Sequence, residues 1–306
     1  MPALVLRLEL MSEFVKVGLV GRLGSEAAYF SLQRLVTFLQ ARGLETLIDR
    51  ETANSGTIRG VTTVEKRDLA DECDLIIVVG GDGSLLSSAR EACRTGVPLL
   101  GVNRGRLGFL TDVSPDEIEE KVGAVLDGQY LAEERFLLDC QVMRDGVEIG
   151  TGCALNDVVL HPGKYIRMID FELYIDDEFV YRQRSDGLII STPTGSTAYA
   201  LSVGGPIMHP QLDAIAVVPL NPHTLSSRPI VIHGDSEIKV LVGAQRDINP
   251  HVTSDGQTHV VTQTGDEVIV RKKPEHLKLI HPTDHDFYKV CRTKLGWASH
   301  AGGKHL

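Results

Sequence analysis

No stretch of this sequence stays apolar for the ~20 residues that a membrane-spanning helix needs. Basic residues are in deficit: 31 Lys and Arg stand against 41 Asp and Glu, a formal net charge of −10. That balance argues against nucleic acid or an anionic membrane surface as the main partner. It does not exclude a small anionic ligand, because a few donors at one place decide that. Cysteine is scarce. Cys73, Cys93, Cys140, Cys153 and Cys291 make an odd number, and no C-x-x-C pair occurs. Their pattern reads as reduced, buried thiols in a cytoplasmic protein. Internal repeats, low-complexity tracts and flexible linkers are missing as well.

Two nucleotide fingerprints fail. The pattern G-x-G-x-x-G, started at Gly81, meets Leu86 where its third glycine belongs. A Walker A loop needs G-x-x-x-x-G-K-[ST], and neither Gly163-Lys164 nor Gly303-Lys304 supplies it. The opening MPALVLRLEL lacks a basic n-region and a small-residue cleavage site, so it makes a poor signal peptide. Met11-Ser12 follows directly, and residues 1–11 are expected to extend upstream of the functional start.

What is present is an ordinary globular composition, 42% hydrophobic and 24% charged over 306 residues, enough for one large or two ordinary domains. Phe14 to Val20 reads as a buried strand. Ser25 caps a helix whose apolar stripe is Ala28, Leu32, Leu35, Val36 and Leu39. Leu75 to Val79 and Val97 to Val102 read as strands on either side of a helix from Ser84 to Gly96. Ser114-Pro115-Asp116-Glu117 is a capping box with proline at the first helical position. This alternation predicts a parallel sheet faced by helices.

Near residue 133 the pattern turns to strands. Hairpins are expected around Asp145-Gly146 and Asp176-Asp177, with further strands at 188–190, 215–220, 230–232, 238–242 and 268–271. His281-Pro282 breaks the run, and Phe287, Val290, Cys291 and Leu295 return to helical spacing. The expected architecture is an α/β domain over 12–132 plus 281–306 and a β-rich, sandwich-like domain over 133–280. The C-terminal helix is expected to pack back on the first domain.

Chemistry concentrates in two places. LIIVVGGDGSLL, residues 75–86, is a strand, a glycine turn and a helix start. Gly80, Gly81, Gly83 and Ser84 form a phosphate-type loop, where free amides and the helix dipole favour an anion. A carboxylate there would repel phosphate unless it has a task. Asp82 can take a proton from an attacking hydroxyl, orient that hydroxyl, or hold a metal, all within phosphoryl transfer. It can also simply cap the helix.

The second place is RSDGLIISTPTGSTAYALSVGG, residues 184–205. Arg184, Ser185 and Asp186 precede a buried strand. Thr192, Thr194, Ser196, Thr197, Tyr199 and Ser202 follow it. So many hydroxyls suit a hydroxyl-rich, phosphate-bearing ligand, or else a loop that satisfies its own backbone. Asn156-Asp157 can read an adenine edge and a sugar diol, or make a turn. Lys164 and Arg167 lie in a basic loop that reads equally as phosphate-facing or solvated.

Taken together these stretches resemble bacterial NAD kinase. The pieces are GGDGS (80–84), NRGRLGFLTD (103–112), ALNDVVLHPGK (154–164), QRSDGLIISTPTGSTAYALSVGGPI (183–207) and PHTLSSRPIVI (222–232). The resemblance covers nearly the whole chain, and the 183–207 block is its most specific part. GGDG alone is shared with diacylglycerol-type lipid kinases.

The resemblance implies transfer of the ATP γ-phosphate to the 2′-hydroxyl of the adenosine ribose of NAD, giving NADP. It makes Asp82 the base or orienter for that hydroxyl, with Gly83 in the same loop. Asn156 and Asp157 are implied at the adenosine, Phe109 on the adenine, and Asp186 at the nicotinamide end. Thr197, Ala198, Tyr199, Ala200, Leu201 and Ser202 are implied to line the pocket. Arg184 is linked to discrimination between NAD and NADH, Gln257 to the site's edge, and Arg167 to the nucleotide. Mg²⁺ is expected with ATP rather than on protein ligands, and a homodimer or homotetramer is expected. The family usually carries Glu where Asp157 stands and Thr where Ser84 stands. The competing expectations are a lipid or sugar kinase with the same turn, and a non-catalytic dinucleotide sensor.

Overall fold

The structure is a computed structural model that describes residues 14–54, 56, 58–104, 108–165, 167–244 and 248–297. The stretch read as an upstream extension, residues 1–11, lies outside the described residues. The chain divides into two compact units. Arg135–His276 forms the second, and the segments on either side of it form the first.

In the first unit the strands are β1 (Lys16–Gly21), β2 (Glu45–Asp49), β3 (Thr62–Val64), β4 (Leu75–Val79) and β5 (Leu99–Val102). The helices among them are α1 (Glu26–Ala41), α2 (Arg50–Asn54), α3 (Lys66–Glu72), α4 (Asp82–Thr95) and α5 (Ile118–Leu126). All the pairings are parallel, in the order β5, β4, β1, β2, β3. The central strands β1, β4 and β5 are short, almost wholly apolar and buried, as a sheet covered on both faces requires.

Helix α1 begins where Ser25 accepts a bond from the amide of Ala28. Its stripe of Ala28, Leu32, Leu35, Val36 and Leu39 packs with Val17, Leu19, Leu75, Ile77 and Val79. Helix α5 adds Ile118, Val122 and Val125 to the same core. The capping box resolves into a single 3₁₀ turn, Pro115–Glu117, before α5 starts.

In the second unit lie β6 (Leu131–Arg144), β7 (Val147–Ala154), β8 (Asp157–His161), β9 (Ile169–Ile175), β10 (Glu178–Ser185) and β11 (Gly187–Ser191). A short helix α6 (Tyr199–Ser202) precedes β12 (Ala214–Leu220), β13 (Ile230–His233), β14 (Ile238–Val242), β15 (His251–Ser254) and β16 (Thr258–Val261). Strand β17 (Glu267–His281) then carries the chain out of this unit, and Leu279 and Ile280 pair in parallel with Leu99 and Leu100 of β5. Helix α7 (Phe287–Leu295) follows, within the first unit.

Two antiparallel layers face each other in the second unit. One carries β10, β9, β14 and β17. The other runs β13, β12, β11, β8, β15, β16. Alternation sets the core: Ile169, Phe171 and Leu173 of β9 meet Val158, Leu160, Leu188, Ile190, Ile215 and Val217 of the facing layer. The intervening residues Val159, Ile189, Ala216 and Val218 turn to the outer face, against Ala200 and Met208. Burial on both faces explains why β11 reads as a continuous apolar run.

Phe171 is among the largest fully buried side chains. Phe171→Ala is expected to cost about 3–5 kcal/mol of stability, and Phe171→Leu clearly less, in urea unfolding followed by fluorescence and circular dichroism.

Candidate functional sites

The first site grows from the end of β4. Gly80 closes the pairing with β5 through its amide, which donates to the carbonyl of Val102 (2.9 Å). Gly81 is the N-cap residue of α4 and Asp82 the first residue of the helix. The amide of Ser84 donates to the carbonyl of Gly81 (2.9 Å), while the amides of Asp82 and Gly83 stand where a helix has no intrahelical acceptor to offer. Asp82 is not the capping residue, a position held by Gly81. Its carboxylate instead reaches the loop after β5. Oδ2 accepts from the amide of Phe109 (3.0 Å) and Oδ1 from that of Leu110 (3.1 Å).

The approach is close enough that a Cβ on Gly108 would lie 2.2 Å from Oδ1, so only glycine fits there. One amide per oxygen leaves lone pairs on both for a further donor. Beside this turn is a cavity of about 360 Å³ lined by Gly81, Gly83, Ser84 and Ser87, with Arg22 and Lys66 as cations and Asp49 and Glu51 as acids.

The second site lies on the outer face of the β8–β11–β12 layer. Its cavity, about 740 Å³, is lined by Asn156, Asp157, Arg167, Asp186, Ala198 and Tyr199, all anticipated from sequence. That volume suits a ligand of nucleotide size. His161, Tyr165, Asn221, Asp255 and His259 also line it and were not anticipated. Asp186 is held by the side-chain amide of Asn221, which donates to its Oδ2 (3.0 Å).

Asp255 is the informative omission. It sits at φ +51° in the turn between β15 and β16. Its carboxylate accepts from the amides of Leu155 (2.9 Å), Asn156 (2.8 Å) and Asp157 (3.2 Å). An aspartate before glycine in a tight turn, Ser254-Asp255-Gly256, is the signal that could have found it.

The hydroxyls after β11 mostly hold their own loop. Thr192 Oγ1 donates to the carbonyl of Leu155 (2.5 Å), Ser196 Oγ to that of Pro193 (2.6 Å) and Thr197 Oγ1 to that of Thr194 (3.2 Å). A Cβ on Gly195 would lie 2.1 Å from the carbonyl oxygen of Asn156, so this loop is pressed onto the residue that opens the cavity. Of the two readings of these hydroxyls, the bonds fit a loop that satisfies its own backbone.

Other anticipated residues fall elsewhere. Ala200 is fully buried in the outer apolar layer, with Val159 and Val218. Leu201 and Ser202 continue α6 outside the cavity lining. Arg184 is exposed on β10, with Nε 3.9 Å from Asp170. Gln257 is exposed in the β15–β16 turn, its amide bonded to the carbonyl of Ser254 (2.9 Å). Phe109 belongs to the first unit, where its amide serves Asp82.

The ATP-NAD kinase N-terminal domain family matches residues 17–130, and the ATP-NAD kinase C-terminal domain family matches 155–282. The chain belongs to the NAD kinase family. Among relatives, it is 64% identical over 293 residues to the NAD kinase of Saccharophagus degradans, covering 96% of this chain and 100% of that one. It is 61% identical over 292 residues to that of Teredinibacter turnerae, covering 95% and 100%. A yeast NADH kinase solved with NADH shares the fold at a TM-score of 0.85 and 24% identity, covering 96% of this chain and 91% of that one. An NAD kinase from Archaeoglobus fulgidus solved with ATP superposes at 0.71 and 26% identity, covering 92% and 98%. The protein is therefore a phosphotransferase.

One electrostatic feature of this NAD kinase is testable directly. The Asp157 carboxyl is pushed up to about 7, first by burial and then by the negative charge of Asp255. Between about pH 4 and 7 the native state keeps a proton there that the unfolded chain has released, so stability falls as pH rises through that window. Asp157→Asn should be more stable than wild type at pH 8, by on the order of a few kcal/mol, with the gap closing toward pH 4. Urea unfolding at a series of pH values measures this, and parallel profiles for the two proteins would refute it.

Proposed function

We propose that this NAD kinase moves the γ-phosphoryl group of ATP to the 2′-hydroxyl of the adenosine ribose of NAD, with Asp82 acting on that hydroxyl. The bond from the ribose oxygen to γ-phosphorus forms as the bond from γ-phosphorus to the β,γ-bridging oxygen breaks. ADP leaves, and the hydroxyl proton passes to the Asp82 carboxylate. The observation that carries this reading is the carboxylate of Asp82, fixed at a helix N-terminus by the amides of Phe109 and Leu110. Those bonds set its direction before any substrate arrives, which is the condition for a positioned base.

The cavity of the first unit suits the ATP phosphates. The amides of Asp82 and Gly83 at the start of α4, together with Arg22 and Lys66, supply donors to which the helix dipole adds favourable charge. A kinase using ATP implies a divalent metal, and we take it to be Mg²⁺. Asp49 and Glu51 offer hard oxygen ligands in that cavity, and Asp49 already accepts from the amide and hydroxyl of Thr52. So sparse a protein ligand set fits an ion bound mostly by phosphates and water. When bound, it neutralises charge on the transferred group.

The dinucleotide occupies the cavity of the second unit in this proposal. Asn156 reads the adenine edge, Asp157 accepts from the ribose, Tyr199 gives an aromatic face, and Asp186 serves the nicotinamide end. Arg167 supplies a cation. Arg184, Gln257 and Phe109 are assigned supporting roles at the margins.

The protein is proposed to work in the cytoplasm, as its five cysteines are all free thiols. Among the described residues no helix is long and apolar enough to cross a membrane. Homo-oligomerisation is proposed through the β-rich unit, where Phe179 and Val231 are 59% and 51% exposed on the edge strands β10 and β13.

Asp82→Asn is expected to keep NAD affinity while losing roughly 10²–10⁴-fold in turnover. NADP formation from NAD, ATP and Mg²⁺, with NAD binding measured by calorimetry, tests this. Wild-type turnover in the variant would remove Asp82 from the mechanism. Absence of NADP formation by the wild-type protein, with a lipid or a sugar phosphorylated instead, would favour the rival kinase reading.

A further inference from the structure

Apart from the residues that line either cavity, the first unit holds a further buried cluster. Asp112 ends the loop that follows β5, and His281 and His285 flank the turn between β17 and α7. Their side chains are 9%, 1% and 6% exposed. His281 Nδ1 contacts Asp112 Oδ2, and His285 Nδ1 lies 3.0 Å from the same oxygen. The two rings stack with centroids 4.1 Å apart and planes 25° apart. On the far edge of the first ring, His281 Nε2 lies 3.7 Å from Glu133 Oε2.

Hydrogen bonding alone explains this cluster poorly. Two ring nitrogens converge on one carboxylate oxygen, while Asp112 Oδ1 is buried without a hydrogen-bond partner among the described residues. A divalent cation accounts for this convergence, because it can bind the Asp112 carboxylate while each neutral imidazole offers it a lone pair.

Ligand atoms of Asp112, His281 and His285 all lie within 4.8 Å of one another. The sequence spacing, His-x₃-His in a turn, is one that zinc sites use. Glu133 stands where an outer carboxylate would orient a ligating histidine through its second nitrogen.

We propose that Asp112, His281 and His285 bind a divalent transition-metal cation of the Zn²⁺ class, with Glu133 as the positioning residue for His281. The nitrogen donors set this site apart from the all-oxygen environment that Mg²⁺ brings with ATP. Its consequence is mechanical. The cation ties the turn before α7 to the loop whose amides, at Phe109 and Leu110, hold Asp82.

The test uses the full-length protein, stripped with a chelator and titrated with Zn²⁺ alone against a chromophoric competitor, with metal content read by mass spectrometry. Co²⁺ gives a second readout through its visible absorption. One Zn²⁺ per chain at micromolar free metal is expected, along with a Co²⁺ band that Zn²⁺ displaces. His285→Gln should abolish stoichiometric binding, and Glu133→Gln should weaken it about 10–100-fold.

A second triad, Asp213, His233 and Asp235, is exposed, and Lys272 already bonds both of its carboxylates (2.7 and 3.2 Å). His233→Gln should therefore leave binding unchanged. Circular dichroism checks that each variant folds, and Asp112→Asn replaces any histidine variant that does not. Absence of saturable Zn²⁺ binding by the wild-type protein would overturn the proposal, as would binding that survives His285→Gln or is lost in His233→Gln. NADP formation is not the readout, so failure here leaves the transfer reaction untouched.

Discussion

Both sites depend on one device: an aspartate in a glycine turn whose carboxylate grips the main-chain amides of a loop far away in sequence. Asp82 holds residues 109 and 110, and Asp255 holds 155 to 157. Hydrogen bonds to a charged group contribute about 1.5–3 kcal/mol each, roughly twice a neutral one. Several of them on one carboxylate are enough to order a short loop that has little apolar side chain to bury. The flanking glycine keeps side chains out of the way, so the loop can come down onto the carboxylate itself. Loops carrying function are ordinarily the softest part of a domain. Here each is pinned to the rigid end of a strand.

That device explains what could be read from the residues alone and what could not. The strand–turn–helix at 75–95 is legible because apolar run, glycine turn and helical spacing follow one another without a gap. The hairpins are legible because Asp145-Gly146 and Asp176-Asp177 interrupt clean alternation. The segment from 44 to 74 yields nothing in advance. Its strands β2 and β3 are five and three residues long, and α2 is five, too short for any period to establish itself. Strands β15 and β16 fail for a related reason. With four residues each and Ser, Thr and His among them, they look like loop until β8 supplies their partner. Asp82 is conspicuous among glycines that follow an apolar run. Asp255 does the same work from a turn flanked by ordinary polar residues, and so hides.

The hydroxyl-rich block teaches a different lesson. Its composition points at a sugar or phosphate, yet most of its hydroxyls close bonds onto nearby carbonyls. A loop that must leave β11, turn under Asn156 and enter a four-residue helix has many backbone groups with no ladder to join. Serine and threonine satisfy them locally, and proline and glycine fix the turn. The cavity is then lined by residues whose side chains remain unengaged by that scaffold or point past it: the amide of Asn156, the ring of Tyr199 and the carboxylates of Asp157 and Asp186. Residue type points to this neighbourhood, while which of its hydroxyls are engaged is set by backbone accounting.

Asp157 shows why such a neighbourhood is arranged against stability. The family resemblance leads one to expect Glu there, whose extra methylene would carry the carboxylate further from the backbone. Asp157 keeps its charge close to its own amide, and that amide is bound by Asp255, so two like charges share one buried corner. Replacing either by an apolar residue would relieve the repulsion. Asp255 cannot be spared, because three amides depend on it. Asp157 is the free variable, and a buried acid that resists ionisation in the empty pocket accepts hydrogen bonds most strongly once ionised. In the proposed complex a ribose diol that donates to it would compensate for the burial that the protein alone bears, which would make the strain part of the selectivity for a hydroxyl-bearing ligand.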